Sequence, residues 1–174
     1  MLINLTDVLA SEGKVVEKQI ETELLQLSCR MGVFSVKEKT PLTLTLTNLG
    51  INKASVRGRM ELTFAMQCDR CLKPVSQKVV LDFIREIAGP DERAEAAEED
   101  DQNFMDGYQL DVESLIQNEC FLNLPVKVLC RPDCRGLCMQ CGADLNGKEC
   151  GCDTFIPDPR MARIKDIFDA NKEV

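Results

Sequence analysis

Apolar and polar residues alternate with a period of two over much of the first half of the chain. Leu25, Leu27, Cys29 and Met31 alternate with Gln26, Ser28 and Arg30, and Leu42, Leu44 and Leu46 alternate with Thr43, Thr45 and Thr47. Such a period predicts strands with one buried face, and β-branched threonine suits the exposed one. The clearest case puts Val56, Met60, Leu62, Phe64 and Met66 on one face and Arg57, Arg59, Glu61 and Thr63 on the other. Val75, Val79, Leu81, Phe83 and Ile87 resume the pattern beyond the Cys68–Pro74 loop. These two segments predict a long antiparallel hairpin with Cys68-Asp-Arg-Cys71 at a solvent-exposed tip. Leu2-Ile3-Asn4-Leu5 reads as a short strand followed by a turn at Ser11–Lys14, and Asn48-Leu-Gly50 reads as a turn. Tyr108-Gln-Leu110 is expected to rejoin the sheet.

The period then lengthens. Val112, Leu115, Ile116 and Cys120 recur at helical spacing behind Asp111, a capping residue, and Pro125 stops the helix. Pro157-Asp158-Pro159 marks the start of a last helix with Met161, Ile164, Ile167 and Phe168 on its apolar side, flanked by Arg160, Arg163 and Lys165. Cys29 and Cys120 fall on apolar positions and are assigned to the core, where free cysteine buries readily. The predicted fold is α+β: an antiparallel sheet of about five or six strands, a covering helix, and a C-terminal cysteine-rich segment stapled by zinc. The expected division is residues 1–125 as the sheet domain, 126–155 as the zinc segment and 156–174 as the C-terminal helix.

Composition narrows the function classes. Hydrophobic residues make up 44% of 174, enough for one core, and no run of eighteen apolar residues exists to cross a membrane. Net charge is −8, but Asp91–Asp101 alone holds seven acids and one arginine. That stretch contributes −6 and the rest only −2, so the acidic loop 91–107 reads as a solvated spacer and other faces are free to be locally basic. There is no histidine for acid–base work or a Ser-His-Asp set, and no phosphate-cradling glycine motif. The chain is therefore not expected to be an enzyme or to take a small-molecule substrate.

The cysteines change the picture most. Residues 130–152 read CRPDCRGLCMQCGADLNGKECGC. With no histidine, a metal site here is built from thiolates, which in tetrahedral sets select zinc or iron–sulfur centres. In Cys138-Met-Gln-Cys141-Gly, two intervening residues let both sulfurs face one ion. Gly142 can take the positive φ that turns backbone N–H groups toward them. Gly136, Gly147 and Gly151 allow further tight turns. The opening residues lack a basic, apolar signal segment, so a cytoplasmic location is expected and disulfides are set aside. An iron–sulfur cluster is the sharper rival, overturned or upheld by metal analysis. Two divisions of the ligands stand open. In one, Cys138, Cys141, Cys150 and Cys152 bind one zinc while Cys68, Cys71, Cys130 and Cys134 bind another. In the other, a single zinc lies within 130–152 and Cys68 and Cys71 bind none. The lone glycine between Cys150 and Cys152 makes chelation by both tight. Either way the zinc is structural, one ion or two.

Cys68-Asp-Arg-Cys71-Leu after a strand, Leu122-Asn-Leu-Pro125 closing a helix, and CRPDCRGLCMQCGADLN together resemble the YceD family, the large ribosomal RNA subunit accumulation proteins. The resemblance implies a cytoplasmic bacterial or plastid factor for processing or accumulation of 23S rRNA, with no known catalytic activity. It implies large-subunit rRNA or a pre-ribosomal particle as partner, or a ribosomal protein or processing enzyme. Arg57 and Arg59 on one strand face, Lys73 and Lys78 near the hairpin tip, and Lys127, Arg131, Arg135 and Lys148 around the cysteines are the candidate phosphate contacts. One tyrosine and no tryptophan leave no evident base-stacking platform. A zinc-stapled protein-interaction module without RNA contact is the alternative.

Overall fold

The structure, a computed structural model, describes residues 1–29, 32–90, 104–152 and Ile164. Arg30, Met31, most of the acidic loop and the residues of the expected last helix other than Ile164 lie outside the described residues. The chain divides into two compact units: Met1–Gln67 with Pro74–Val128, and Cys68–Lys73 with Leu129–Val174.

The first unit is built on a six-stranded antiparallel sheet. Its spine is β6 (Lys53–Gln67), paired along its whole length with β7 (Pro74–Ala88). The other flank of β6 takes β5 (Leu42–Gly50) at residues 53–59 and β4 (Gly32–Lys39) at residues 62–65. The outer strands are β2 (Val15–Ile20), on β5, and β3 (Gln26–Cys29), on β4. The hairpin expected from the alternation forms with Val56, Met60, Leu62, Phe64, Val79, Leu81 and Ile87 buried on its inner face. Gly58 lies opposite Phe83, whose ring occupies the space a Cβ would need, 2.2 Å from it.

A separate three-stranded sheet joins β1 (Leu2–Asn4), β9 (Gln109–Asp111) and β8 (Met105–Asp106). Leu110 therefore does not rejoin the main sheet. It pairs with Ile3 and contributes to the core from there. Among the described residues, two helices pack on these strands. The short α1 (Thr6–Ala10) packs on β5 and β6, and α2 (Val112–Asn123) packs on β7. Asp111 caps α2 by accepting the Glu113 N–H, and Val112, Leu115, Ile116 and Cys120 are buried. Glu119 is also buried; Arg85 donates to its carboxylate at 2.6 Å, so the charge enters the core already paired.

Candidate metal centre

The second unit is organised by two knuckles with the same backbone pattern. In the first, the Cys68 N–H donates to Lys73 O at 2.8 Å and the Leu72 N–H to Cys68 O at 2.9 Å. In the second, the Cys138 N–H donates to Ala143 O at 2.8 Å and the Gly142 N–H to Cys138 O at 2.8 Å. The residue after each second cysteine has a positive φ: 72° for Gly142 and 59° for Leu72. Glycine takes that conformation freely; leucine does so at a steric cost.

Each knuckle is completed by two more cysteines. Cys68, Cys71, Cys130 and Cys134 bring four sulfurs within 4.8 Å of one another, and so do Cys138, Cys141, Cys150 and Cys152. Within the first tetrad, Cys68 Sγ lies 3.8 Å from Cys134 Sγ, and Cys71 Sγ lies 3.5 Å from Cys130 Sγ. These separations are far too long for disulfides. A zinc–sulfur bond of about 2.3 Å gives a tetrahedral edge of roughly 3.8 Å, so the donor set fits one ion. A cluster of several irons holds its cysteine sulfurs farther apart. Although the hairpin tip was expected to be exposed, Cys68 and Cys71 are 0% and 4% exposed; Asp69, Arg70, Leu72 and Lys73 are the exposed residues there.

The electrostatics suit a cation. Burial opposes ionisation of Cys68, but the backbone N–H groups of Cys130, Arg70 and Cys71 point at its sulfur and lower it to about 6. The N–H groups of Cys141 and Gln140, with help from the Cys150 thiol, lower Cys138 to about 6. Cys130 and Cys152 move the other way. Contact with Cys71, then burial, push Cys130 up to about 12, and contact with Cys141, then burial, do the same to Cys152. One sulfur in each tetrad thus ionises easily, while contact with a neighbouring cysteine disfavours ionisation of Cys130 and Cys152. A divalent cation among them removes that penalty.

The candidate phosphate contacts are mostly engaged with acids. In the second unit Lys73 pairs with Asp144 at 2.7 Å, Arg131 with Asp133 at 3.4 Å and Arg135 with Glu149 at 3.2 Å. In the first, Lys78 pairs with Glu61 at 2.7 Å and Arg57 with Asp82 at 3.5 Å. Arg59 lies on the exposed face of β6 opposite Asp82 in register, and Lys127 and Lys148 are exposed. Sequence reasoning passed over Asp144 and Asn146. Side-chain contacts from Lys73 and Asn146 hold Asp144 ionised down to about 2. The Asp-x-Asn spacing between Cys141 and Cys150, a turn signal, was the clue available.

A family profile described as large ribosomal RNA subunit accumulation protein YceD matches residues 56–168, a stretch that contains all eight tetrad cysteines. An uncharacterised protein of Mycobacterium tuberculosis is 35% identical over 114 residues, 65% of this chain and 55% of that protein. One of Mycobacterium leprae is 32% identical over 115 residues, 65% of this chain and 52% of that protein. The chain spans about half the length of these curated relatives. No solved structure matches.

Proposed function

The chain belongs to the YceD family, and we propose that it is a non-enzymatic ribosome-biogenesis factor supporting processing or accumulation of large-subunit 23S rRNA, its second unit held by two structural zinc ions. The family match, which spans both tetrads, carries the reading. All eight cysteines serve as ligands: Cys68, Cys71, Cys130 and Cys134 for one ion, Cys138, Cys141, Cys150 and Cys152 for the other. Four thiolates close each site, leaving no coordination position for substrate or water, so zinc here supplies fold rather than Lewis-acid chemistry. Depleting the protein from cells that encode it should lower mature 23S relative to 16S rRNA, with 23S precursors rising. An unchanged ratio would sink the ribosomal reading. Elemental analysis of protein purified without oxygen should give two zinc per chain; iron in their place would refute the choice of metal.

One observation favours contact through protein rather than RNA. The described part of the second unit has five basic and four acidic side chains, a net +1. Eight thiolates and two divalent ions add −4, leaving −3. Arg131, Arg135 and Lys73 already answer carboxylates and Arg70 donates to the Cys134 carbonyl, so a basic partner such as a ribosomal protein suits this unit better than a polyanion. Partners captured with the full chain should survive RNase, whereas loss of all of them on digestion would favour direct RNA binding.

A further inference from the structure

The first tetrad is touched by a residue from inside the second tetrad's ligand loop. Asn146 lies between Cys141 and Cys150. Its Nδ2 donates to Cys134 Sγ at 3.5 Å. Its Oδ1 accepts from the Arg135 N–H at 2.8 Å and from Arg131 Nη2 at 3.0 Å, so the amide holds the chain on both sides of Cys134. Two residues earlier, Asp144 accepts from the Asn146 N–H at 3.0 Å and takes the Lys73 ammonium at 2.7 Å. The loop therefore reaches both chain segments of the first tetrad: 68–73 through Asp144 and 130–135 through Asn146. The Asn146 Nδ2 also donates to Asp144 Oδ1 at 2.7 Å, which closes the turn locally; the bonds to Cys134, Arg135 and Arg131 go beyond what that closure needs.

The loop is in turn anchored by the second tetrad. Cys141 and Cys150 bound its ends, and the Leu145 N–H donates to Gly136 O at 2.9 Å. With two glycines, Gly142 and Gly147, it has much conformational freedom to lose.

We propose that Asn146 is a positioning residue of the first metal centre, and that filling the Cys138/Cys141/Cys150/Cys152 site strengthens metal binding at Cys68/Cys71/Cys130/Cys134 through it. The inference rests on the reading that both tetrads hold metal. An amide N–H on a thiolate ligand offsets its charge and fixes its direction. When the second ion orders the loop, the first site receives that donor in place; without it, the first ion must order the loop itself. The coupling is reciprocal, as any linkage between two binding sites must be.

The test titrates Co²⁺ into the reduced, metal-stripped full chain against a competing chelator. Native mass spectrometry counts the ions, and mapped thiol alkylation reports which tetrad is filled. The wild-type chain should bind two ions with tetrathiolate absorption. Asn146→Ala should weaken the first tetrad by about 10–100-fold, the usual effect of losing a ligand's supporting hydrogen bond, and leave unchanged the second tetrad's affinity while the first is empty. It should also shift the first tetrad's sulfur-to-cobalt band, which mere loss of folding would abolish. Asn146→Asp, which keeps the acceptor oxygen and loses the donor, should act in the same direction. Cys150→Ser with Cys152→Ser should weaken the first tetrad, and Cys68→Ser with Cys130→Ser should weaken the second. Two ions in both Asn146 variants with first-tetrad affinity and spectrum unchanged, and an unchanged first tetrad in the Cys150→Ser, Cys152→Ser chain, would overturn the role of Asn146 and leave the metal reading intact. A wild-type chain that binds fewer than two ions would overturn both.

Discussion

Leu72 offers a sharp test of the knuckle geometry, because the sign of the effect is the reverse of the ordinary one. In most settings glycine is less stable than alanine by about 0.5–1 kcal/mol, owing to the freedom it loses on folding. At position 72 the φ is +59°, as it is +72° at Gly142 in the matching place of the other knuckle. A Cβ in that conformation costs roughly 1–2 kcal/mol. Comparing Leu72→Gly with Leu72→Ala removes the leucine side chain from both variants, which matters because Leu72 is 60% exposed and part of it is still covered. The remaining difference is strain relieved less entropy lost. Glycine should therefore be favoured over alanine by up to about 1 kcal/mol, or roughly fivefold in chelator-driven metal release from the first tetrad. Gly142→Ala should do the mirror experiment. Nothing lies within 4 Å of the added Cβ, so only the φ opposes it, and the second tetrad should release metal faster by a similar factor. The measurement is competition with a chromophoric chelator, with alkylation mapping to assign each phase. If the alanine variant at 72 holds metal as tightly as the glycine variant, or tighter, the shared knuckle conformation is wrong.

Other outcomes follow from the same structure. Cys141→Ser should lower bound metal and remove amide-exchange protection from residues 130–152, while β5, β6 and β7 keep theirs; retained protection in the cysteine segment would count against a metal-dependent unit. Gly58→Ala drives a Cβ to 2.2 Å from the Phe83 ring and should destabilise the sheet unit by about 1–3 kcal/mol in urea unfolding, the usual range for overpacking. The Cys120 thiol is fully buried, and burial, then the neighbouring Glu119 carboxylate, push it up to about 12, so it should resist alkylation in the native protein and react only on unfolding. Labelling of Cys120 under native conditions, with the sheet still protected, would refute that placement.

What the sequence shows well is burial that repeats. The β6–β7 hairpin and α2 carry regular periods, and the apolar residues read as inward are buried there, Val75 only partly; Ala54 and Glu119 are buried outside the pattern. β2 escaped because only Ile20 at its end is buried, so Val15–Ile20 carries no alternation to detect. The α1 helix is one turn long, and its hold comes from elsewhere: Asn48 Nδ2 donates to Val8 O at 2.8 Å, across forty residues. Leu25 was read in phase with Leu27, yet it is 75% exposed while Thr22, Leu24 and Leu27 are buried. The period slips between Leu24 and Leu27 because β3 begins only at Gln26. Asn48-Leu-Gly50, read as a turn, is an irregular end of β5, and the turn itself falls at Ile51–Asn52, where Asn52 takes φ 58°.

The cysteines show where local reading stops for a physical reason. Each Cys-x-x-Cys is legible because two cysteines three positions apart in one turn are a local property. Completing a tetrad is not: Cys68 meets Cys134 across 66 residues, whereas Cys138 meets Cys152 within its own loop. Spacing could not choose between one site and two, because that choice depends on which segments fold against one another. Loop closure separates the two sites energetically as well. Closing 66 residues rather than 14 costs about 1.4 kcal/mol more from an unfolded chain, roughly tenfold in affinity. The short tetrad should therefore capture the first ion during folding. Its loop then carries Asn146 and Asp144 to the segments that the long tetrad must bring together. The reverse order would put the expensive closure before anything is in place to support it.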